Sequence, residues 1–301
     1  MAIDIVIKEV APRDGLQAQS VEITHAQRAA LIEALVRANL PELEIGSFVS
    51  PKAVPQMAGT DRLAADLPAG NSIFSALVPN MKGYELGRRA GLNQLAIVVS
   101  ATEQMNQNNI RMSLADTFLM ADDILRRAQQ ESIEVHAYLA VAFECPYEGK
   151  VSEKKVIEQA RALMKSAPAR LVIADTIGAA NPFAVKSLMK QLVSEFGTEV
   201  LGCHFHDTRA MGLANVYAAI ESDIRYFDSS AGGLGGCPFA PGAKGNVATE
   251  DVVMLCQSAG LDTGIDLQAL LEAVALLTEV IGTAQGGRTH GWLKDNWQKL
   301  G

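Results

Sequence analysis

The segment EVLGCHFHD, residues 199–207, carries the pattern on which the fold turns. An apolar start runs into two histidines one residue apart, with Asp207 directly behind them. Its length and composition predict a short buried strand, and side chains two apart on a strand share a face. His204 and His206 are therefore expected to project together, with Phe205 on the opposite face. Two readings are open at this point: a pair of hydrogen-bonded core histidines, or a pair of metal ligands.

Seven further short apolar runs accompany this one: residues 3–10, 42–48, 72–78, 94–100, 134–143, 169–176 and 224–230. Helical patterns fill the intervals, as in THAQRAALIEALVRA and SEKKVIEQARALMKSA. Thr24, Ser113, Ser152 and Asn181 are expected N-caps, the last followed by Pro182 at the first helical position. The stretch SPKAVPQMAGTDRLAAD is expected to be a long loop with one short helix. Eight strands, each followed by a helix, predict a (β/α)₈ TIM barrel. No GxGxxG follows the first strand, which argues against a doubly wound sheet. Polar residues gather where strands end: Arg13 and Asp14, Glu44, Asp175 and Thr176, the two histidines with Asp207, and Asp228. Barrel active sites lie at that end. The run DLQALLEAVALLTEVIG adds C-terminal helices beyond the eighth unit. The whole chain, 1–301, is expected to form one catalytic domain with a helical extension over about 261–301.

The chain has 301 residues, 49% of them apolar, and a formal net charge of −8. No basic block suggests nucleic acid, and no basic amphipathic helix suggests a membrane surface. The opening MAIDIVIKEV shows no basic segment leading into an apolar run, so a secretory signal is not expected. Cys145, Cys203, Cys237 and Cys256 are widely spaced without a CxxC pair and are expected to be reduced thiols. A soluble cytoplasmic protein is the resulting expectation.

Three constellations carry chemistry. EVAPRDGLQ (9–17) ends the first strand with adjacent opposite charges. In a barrel this strand neighbours the eighth, which neighbours the seventh, so Asp14 can reach the histidines as a hard oxygen ligand. Arg13 offers a fork-shaped charge suited to a carboxylate or enolate oxygen. The alternative is a surface ion pair beside a Gly15 turn. SSAGGLGGCPFAPGAKGN (229–246) has the composition of a mobile loop carrying Cys237, a candidate proton donor. Asn246 is either the N-cap of the next helix or a carbonyl ligand. Two histidines, an aspartate and an asparagine form a mixed nitrogen and oxygen donor set, which favours Mg²⁺ or Mn²⁺ over structural zinc.

APRDGLQ, EIGSFVSPKAVPQM, ECPYEGKVS, ADTIGAANP, HFHDT and GGLGGCPFAPGAKGNVATED together resemble the 3-hydroxy-3-methylglutaryl-CoA lyase family, with the similarity spread over about residues 8–267. The resemblance implies a metal-dependent cleavage of that thioester to acetyl-CoA and acetoacetate. It implies Asp14, His204, His206 and Asn246 as metal ligands, Arg13 as the stabiliser of the product enolate, and Cys237 as the loop thiol in proton transfer. Glu44 matches an acidic active-site residue, and Gln17 and Asp175 fall on positions lining or supporting the site. His204 is expected to shuttle the first proton and Cys237 the last. A homodimer or other homo-oligomer is implied as well. The chain departs from the family's animal-type pattern at Arg209 in DTRAMGLAN, in GLQAQS, and at Met105. Such changes bear on the acyl group accepted, so a related 3-hydroxy-3-alkylglutaryl-CoA or another 3-hydroxyacyl-CoA is the alternative substrate. A condensing synthase is the alternative chemistry, with the cysteine loop against it.

Overall fold

The computed structural model describes residues 3–236, 245–283 and 285–297. Eight parallel strands close into a barrel: β1 (Val6–Glu9), β2 (Glu42–Ser47), β3 (Ile73–Leu77), β4 (Gln94–Ser100), β5 (Glu134–Ala140), β6 (Arg170–Asp175), β7 (Leu201–Phe205) and β8 (Tyr226–Ser229). Strand β1 pairs with β2 on one side and β8 on the other, which removes both sheet edges. The expected TIM barrel is therefore the observed architecture. Apart from β4, which matches its run 94–100, the strands are one to four residues shorter than the expected apolar runs. Run 134–143, for example, ends as a strand at Ala140, and a small ribbon of Glu144–Cys145 against Gly149–Lys150 follows.

Helices cover the outside because alternate strand residues face them. Ile7 of β1 and Ile5 just before it belong to this packing and are fully buried. Inside the barrel, Ala96, Tyr138, Val172 and Tyr226 form a separate small cluster packed by Val6, Leu77 and Val98. All four expected caps form: Thr24, Ser113, Ser152 and Asn181 each accept a backbone N–H of their helix through the side chain. Thr24 and Gln27 complete a reciprocal capping box. The 51–66 segment holds two short helical pieces, Pro55–Met57 and Thr60–Ala65. The helix after β7 begins only at Gly212. Ala210 sits at φ 59°, outside the right-handed helical region, and Asp207 Oδ1 accepts the Gly212 N–H at 2.8 Å. Two C-terminal helices follow the eighth unit, Leu267–Ile281 and His290–Asn296, and the first packs on His25–Arg37.

Candidate active site at the C-terminal mouth of the barrel

Directly after β1 the chain makes one wide turn, Ala11–Gly15, in which the Val10 carbonyl accepts N–H groups from Arg13, Asp14 and Gly15. The turn lifts Arg13 and Asp14 over the barrel mouth, where both are buried. Glu9 anchors it from beneath. Its fully buried carboxylate accepts the Ala11 N–H (2.8 Å), the Ala231 N–H (2.9 Å) and the Thr249 hydroxyl (2.7 Å). One side chain thus ties the β1 turn to the segments on either side of the glycine-rich stretch.

Strand β7 delivers His204 and His206 to the same place. His206 Nε2 lies 3.2 Å from His204 Nε2 and 3.9 Å from Asp14 Oδ2. Asp14, His204 and His206 each present one donor atom, all within 4.8 Å of one another. Residue 246 joins them by an unexpected route. The returning limb of the glycine-rich segment pairs antiparallel with the end of β7, with His206 opposite Asn246. Val247 N–H donates to Phe205 O, and Asp207 N–H to Gly245 O. Gly245 is needed there, because a Cβ would collide with the Gly233 and Gly235 backbone. Asn246 is thus not the N-cap of the next helix; Ala248 is. Its Nδ2 donates to Asp14 Oδ2 (2.8 Å) and Leu234 O (3.1 Å). Its Oδ1 is buried and has no hydrogen-bond partner among the described residues.

The electrostatics favour ionised ligands. Burial alone would raise the Asp14 carboxyl, but Arg13, the two histidines and the Asn246 amide outweigh it and hold the group at about 2. His206 is lowered to about 4 by burial and by the neighbouring His204, so its imidazole is neutral with a lone pair to give. His204 is steered by Asp228: Oδ2 of that residue lies 3.0 Å from His204 Nδ1, which leaves Nε2 facing the cluster. A carboxylate behind a ligating histidine is a recurrent way of fixing ring orientation and tautomer. Arg13 donates through Nε to Glu44 Oε2 and through an Nη to Asp14 Oδ1 at 2.5 Å. Burial opposes the guanidinium charge, and the two carboxylates more than restore it.

A carboxylate oxygen and two imidazole nitrogens that converge, next to a residue whose buried carbonyl oxygen lacks a partner among the described residues, fit a hard divalent cation. Asp14, His204 and His206 would hold it, with Asn246 Oδ1 beside them.

The remaining expected site residues divide. Gln17 reaches the cluster, its Nε2 donating to Asp14 Oδ1 at 3.2 Å. Asp175 is buried, but both its oxygens accept backbone N–H groups, Ala179 at 2.8 Å and Ala180 at 3.0 Å. It shapes the loop after β6, and burial outweighs those bonds to place its carboxyl at about 6. Arg209 lies at the rim, its guanidinium on Glu144 at 2.6 and 3.4 Å. Cys237 lies outside the described residues. Asp228 is the partner that sequence reasoning left without a role. It was visible as a polar residue ending an apolar strand, but its pairing with His204 needed the β7–β8 register. Tyr138, edge-on to His204 with ring centroids 6.3 Å apart, was hidden inside an apolar run.

The comparisons with known proteins agree with this geometry. Residues 4–277 match the family model described as HMGL-like. The hydroxymethylglutaryl-CoA lyase of Pseudomonas mevalonii is 40% identical over 285 residues, covering 94% of this chain and 95% of the relative. The 3-hydroxy-3-isohexenylglutaryl-CoA/hydroxy-methylglutaryl-CoA lyase of Pseudomonas aeruginosa is 40% identical over 281 residues, covering 93% and 94%. A solved HMG-CoA lyase from Acenitobacter baumannii, in complex with coenzyme A and 3-methylmalate, superposes with a TM-score of 0.91 at 38% identity, covering 95% of this chain and 94% of that one. With the matched region spanning all eight barrel strands and every described site residue, this chain belongs to the HMGL-like family.

Proposed function

We propose that this protein is a carbon–carbon lyase that cleaves 3-hydroxy-3-methylglutaryl-CoA to acetyl-CoA and acetoacetate with the help of Mg²⁺ or Mn²⁺. The observation that carries the reading is the arrangement of Asp14, His204 and His206 around one point, with the Arg13 guanidinium pinned beside it by Glu44. A divalent cation held there would bind the substrate's oxygens and increase the acidity of its 3-hydroxyl.

The chain's own groups account for the rest. His204 accepts the hydroxyl proton at Nε2, and Asp228 at Nδ1 stabilises the resulting imidazolium. The Nε2 lone pair that takes this proton is the one that would hold a cation, so with His204 as base the cation would rest on Asp14 and His206. The C2–C3 bond then breaks: C3 becomes the ketone of acetoacetate, and the bonding electrons pass to the thioester as an enolate. Arg13 faces that developing negative oxygen, held in orientation before the charge appears by its bonds to Glu44 and Asp14. A proton from Cys237 to C2 completes acetyl-CoA and leaves the thiolate to be reprotonated. Gln17 steadies Asp14, and Asp175 supports the wall from which the acyl-CoA is bound.

Arg209 is assigned to the acyl end of the substrate. Its pairing with Glu144 joins the loops after β5 and β7 across the rim, where a longer 3-substituent would have to pass. One relative's name includes 3-hydroxy-3-isohexenylglutaryl-CoA, which supports a larger 3-alkylglutaryl-CoA as the second reading. The enzyme is read as cytoplasmic and as a homodimer. Among the described residues, no helix is long and apolar enough to cross a membrane.

The deciding measurement is acetyl-CoA and acetoacetate release with Mn²⁺ or Mg²⁺ across a small panel of 3-hydroxyacyl-CoA thioesters. Release from the methylglutaryl thioester is expected. Turnover of only a longer-chain thioester would move the substrate to the second reading, and no turnover of any would remove the lyase reading. Sedimentation at micromolar concentration tests the dimer.

A further inference from the structure

Lys8 is the odd residue of β1. Strand alternation sends Val6 and Lys8 into the barrel while Ile5 and Ile7 face the helices, and Lys8 has no exposed surface. Its Nζ has no hydrogen-bond partner among the described residues. Lys8 stands in register with Asp228 on one side and Glu42 on the other. Its Nζ lies 5.7 Å from the centroid of the Tyr138 ring, a cation–π arrangement. The same ring is edge-on to His204. Below it, burial first and then the charges of Lys8 and Arg170 keep His136 far below its ordinary range, so that imidazole is neutral. The ammonium therefore lies between the barrel floor and the candidate metal cluster, separated from the latter by one aromatic ring.

An ammonium buried without a direct partner is costly, and an apolar side chain of similar length would fill the space without that cost. The charges around it suggest what offsets the cost. On the floor, Glu42 and Arg170 oppose each other around Tyr226. At the mouth, the carboxylates of Asp14 and Glu44 pair with the Arg13 guanidinium, and the carboxylate of Asp228 lies on His204. A divalent cation would bring that set to neutrality. Lys8 is then the surplus positive charge; cleavage adds no net charge, because the proton that leaves the substrate stays on His204 while the negative charge moves to the enolate oxygen.

We propose that Lys8 is an electrostatic positioning residue: its buried charge, acting through the barrel interior, favours the anionic reacting substrate at the mouth and opposes the metal cation. The inference rests on the lyase reading. A unit charge felt across about 10 Å at an effective dielectric near 20 changes an equilibrium by roughly tenfold.

Lys8→Met keeps the length of the side chain and removes the charge, and Lys8→Gln serves as a second neutral variant should Met disturb the packing. Three effects are expected together. The thermal midpoint stays level or rises. Mn²⁺, carrying twice the charge, binds on the order of a hundredfold more tightly by calorimetry. At saturating metal and substrate, kcat falls about tenfold while KM scarcely moves. A residue that merely supports packing would instead lower the midpoint and kcat together. That result, an unchanged kcat, or Mn²⁺ affinity that is unaltered or weaker in both variants overturns the proposal. If the unmodified enzyme cleaves none of the thioesters, the lyase reading fails. The Mn²⁺ titration needs no turnover and still decides whether the Lys8 charge opposes the cation.

Discussion

The two ends of the barrel interior are both lined with ionisable side chains, yet they treat them differently. At the floor the charged and aromatic groups pair locally, although Arg170 Nε and Gln94 Oε1 have no hydrogen-bond partner among the described residues. Tyr226 donates to Glu42 at 2.6 Å, Arg170 stacks 3.8 Å over the Tyr226 ring and donates to Glu199 O at 3.0 Å, and His136 is neutral. At the mouth, buried polar atoms are left over: His206 Nδ1, Asn246 Oδ1, Glu44 Oε1 and Asp228 Oδ1 have no hydrogen-bond partner among the described residues. Leaving such atoms unpaired is expensive, and polar groups that converge without satisfying one another mark a place built to receive something else. The floor is arranged for stability, and the mouth is arranged for a ligand.

The sharpest way to break that contrast is at His206. His206→Ala is expected to lower turnover by about a thousandfold and to weaken Mn²⁺ binding in parallel, with little change in melting temperature because a buried Nδ1 that has no hydrogen-bond partner among the described residues is removed. A variant that melts far lower but keeps its metal affinity would make His206 a core residue after all.

Glu9 tests a carboxylate of the mouth whose two oxygens are both hydrogen-bonded. Burial outweighs its three hydrogen bonds and raises it from an ordinary 4.5 to about 7. The folded state therefore binds its proton more tightly than the unfolded chain does. Its contribution to stability is complete below pH 4.5 and is lost as pH rises towards 7, a swing of about 3 kcal/mol. Glu9→Gln should flatten the stability–pH curve between those values, as read by urea unfolding at a series of pH. An identical slope in both proteins would assign the effect elsewhere.

Asp228→Asn sharpens the comparison at the next level. Without a carboxylate behind Nδ1, His204 loses its fixed tautomer, and metal affinity is expected to drop roughly 10- to 100-fold. Equal affinity would show that the strand alone orients the ring. The smallest effect is expected at the floor, where Tyr226→Phe should cost on the order of 1 kcal/mol in stability by leaving Glu42 without its donor, and should leave kcat within about twofold. A large kcat loss there would mean that floor and mouth are coupled more strongly than their separate pairings indicate.

Much of this was legible from residues alone. The eight apolar runs and their caps set out the barrel, because strand and helix periodicities are local properties. The HxH spacing and the RDG turn identified three donors before any distance was known. What stayed hidden depended on register and on side-chain competition. Asp175 read as a residue lining or supporting the site, and the two backbone N–H groups on its oxygens depend on how the loop after β6 folds. Asn246 stood between cap and ligand until the returning limb paired with β7 and placed it opposite His206.

The sequence by itself determined the strand and helix alternation, the acidic and apolar balance, and which residue types lie at strand ends. Only the tertiary structure decided which of them meet. Asp14 and His204 are 190 positions apart in the chain, and barrel closure through β1 and β8 brings them within one metal site's width. The same closure turns Lys8 from one charge in an alternating strand into a cation sealed beside that site, because an inward-facing residue on a closed sheet has no route to water.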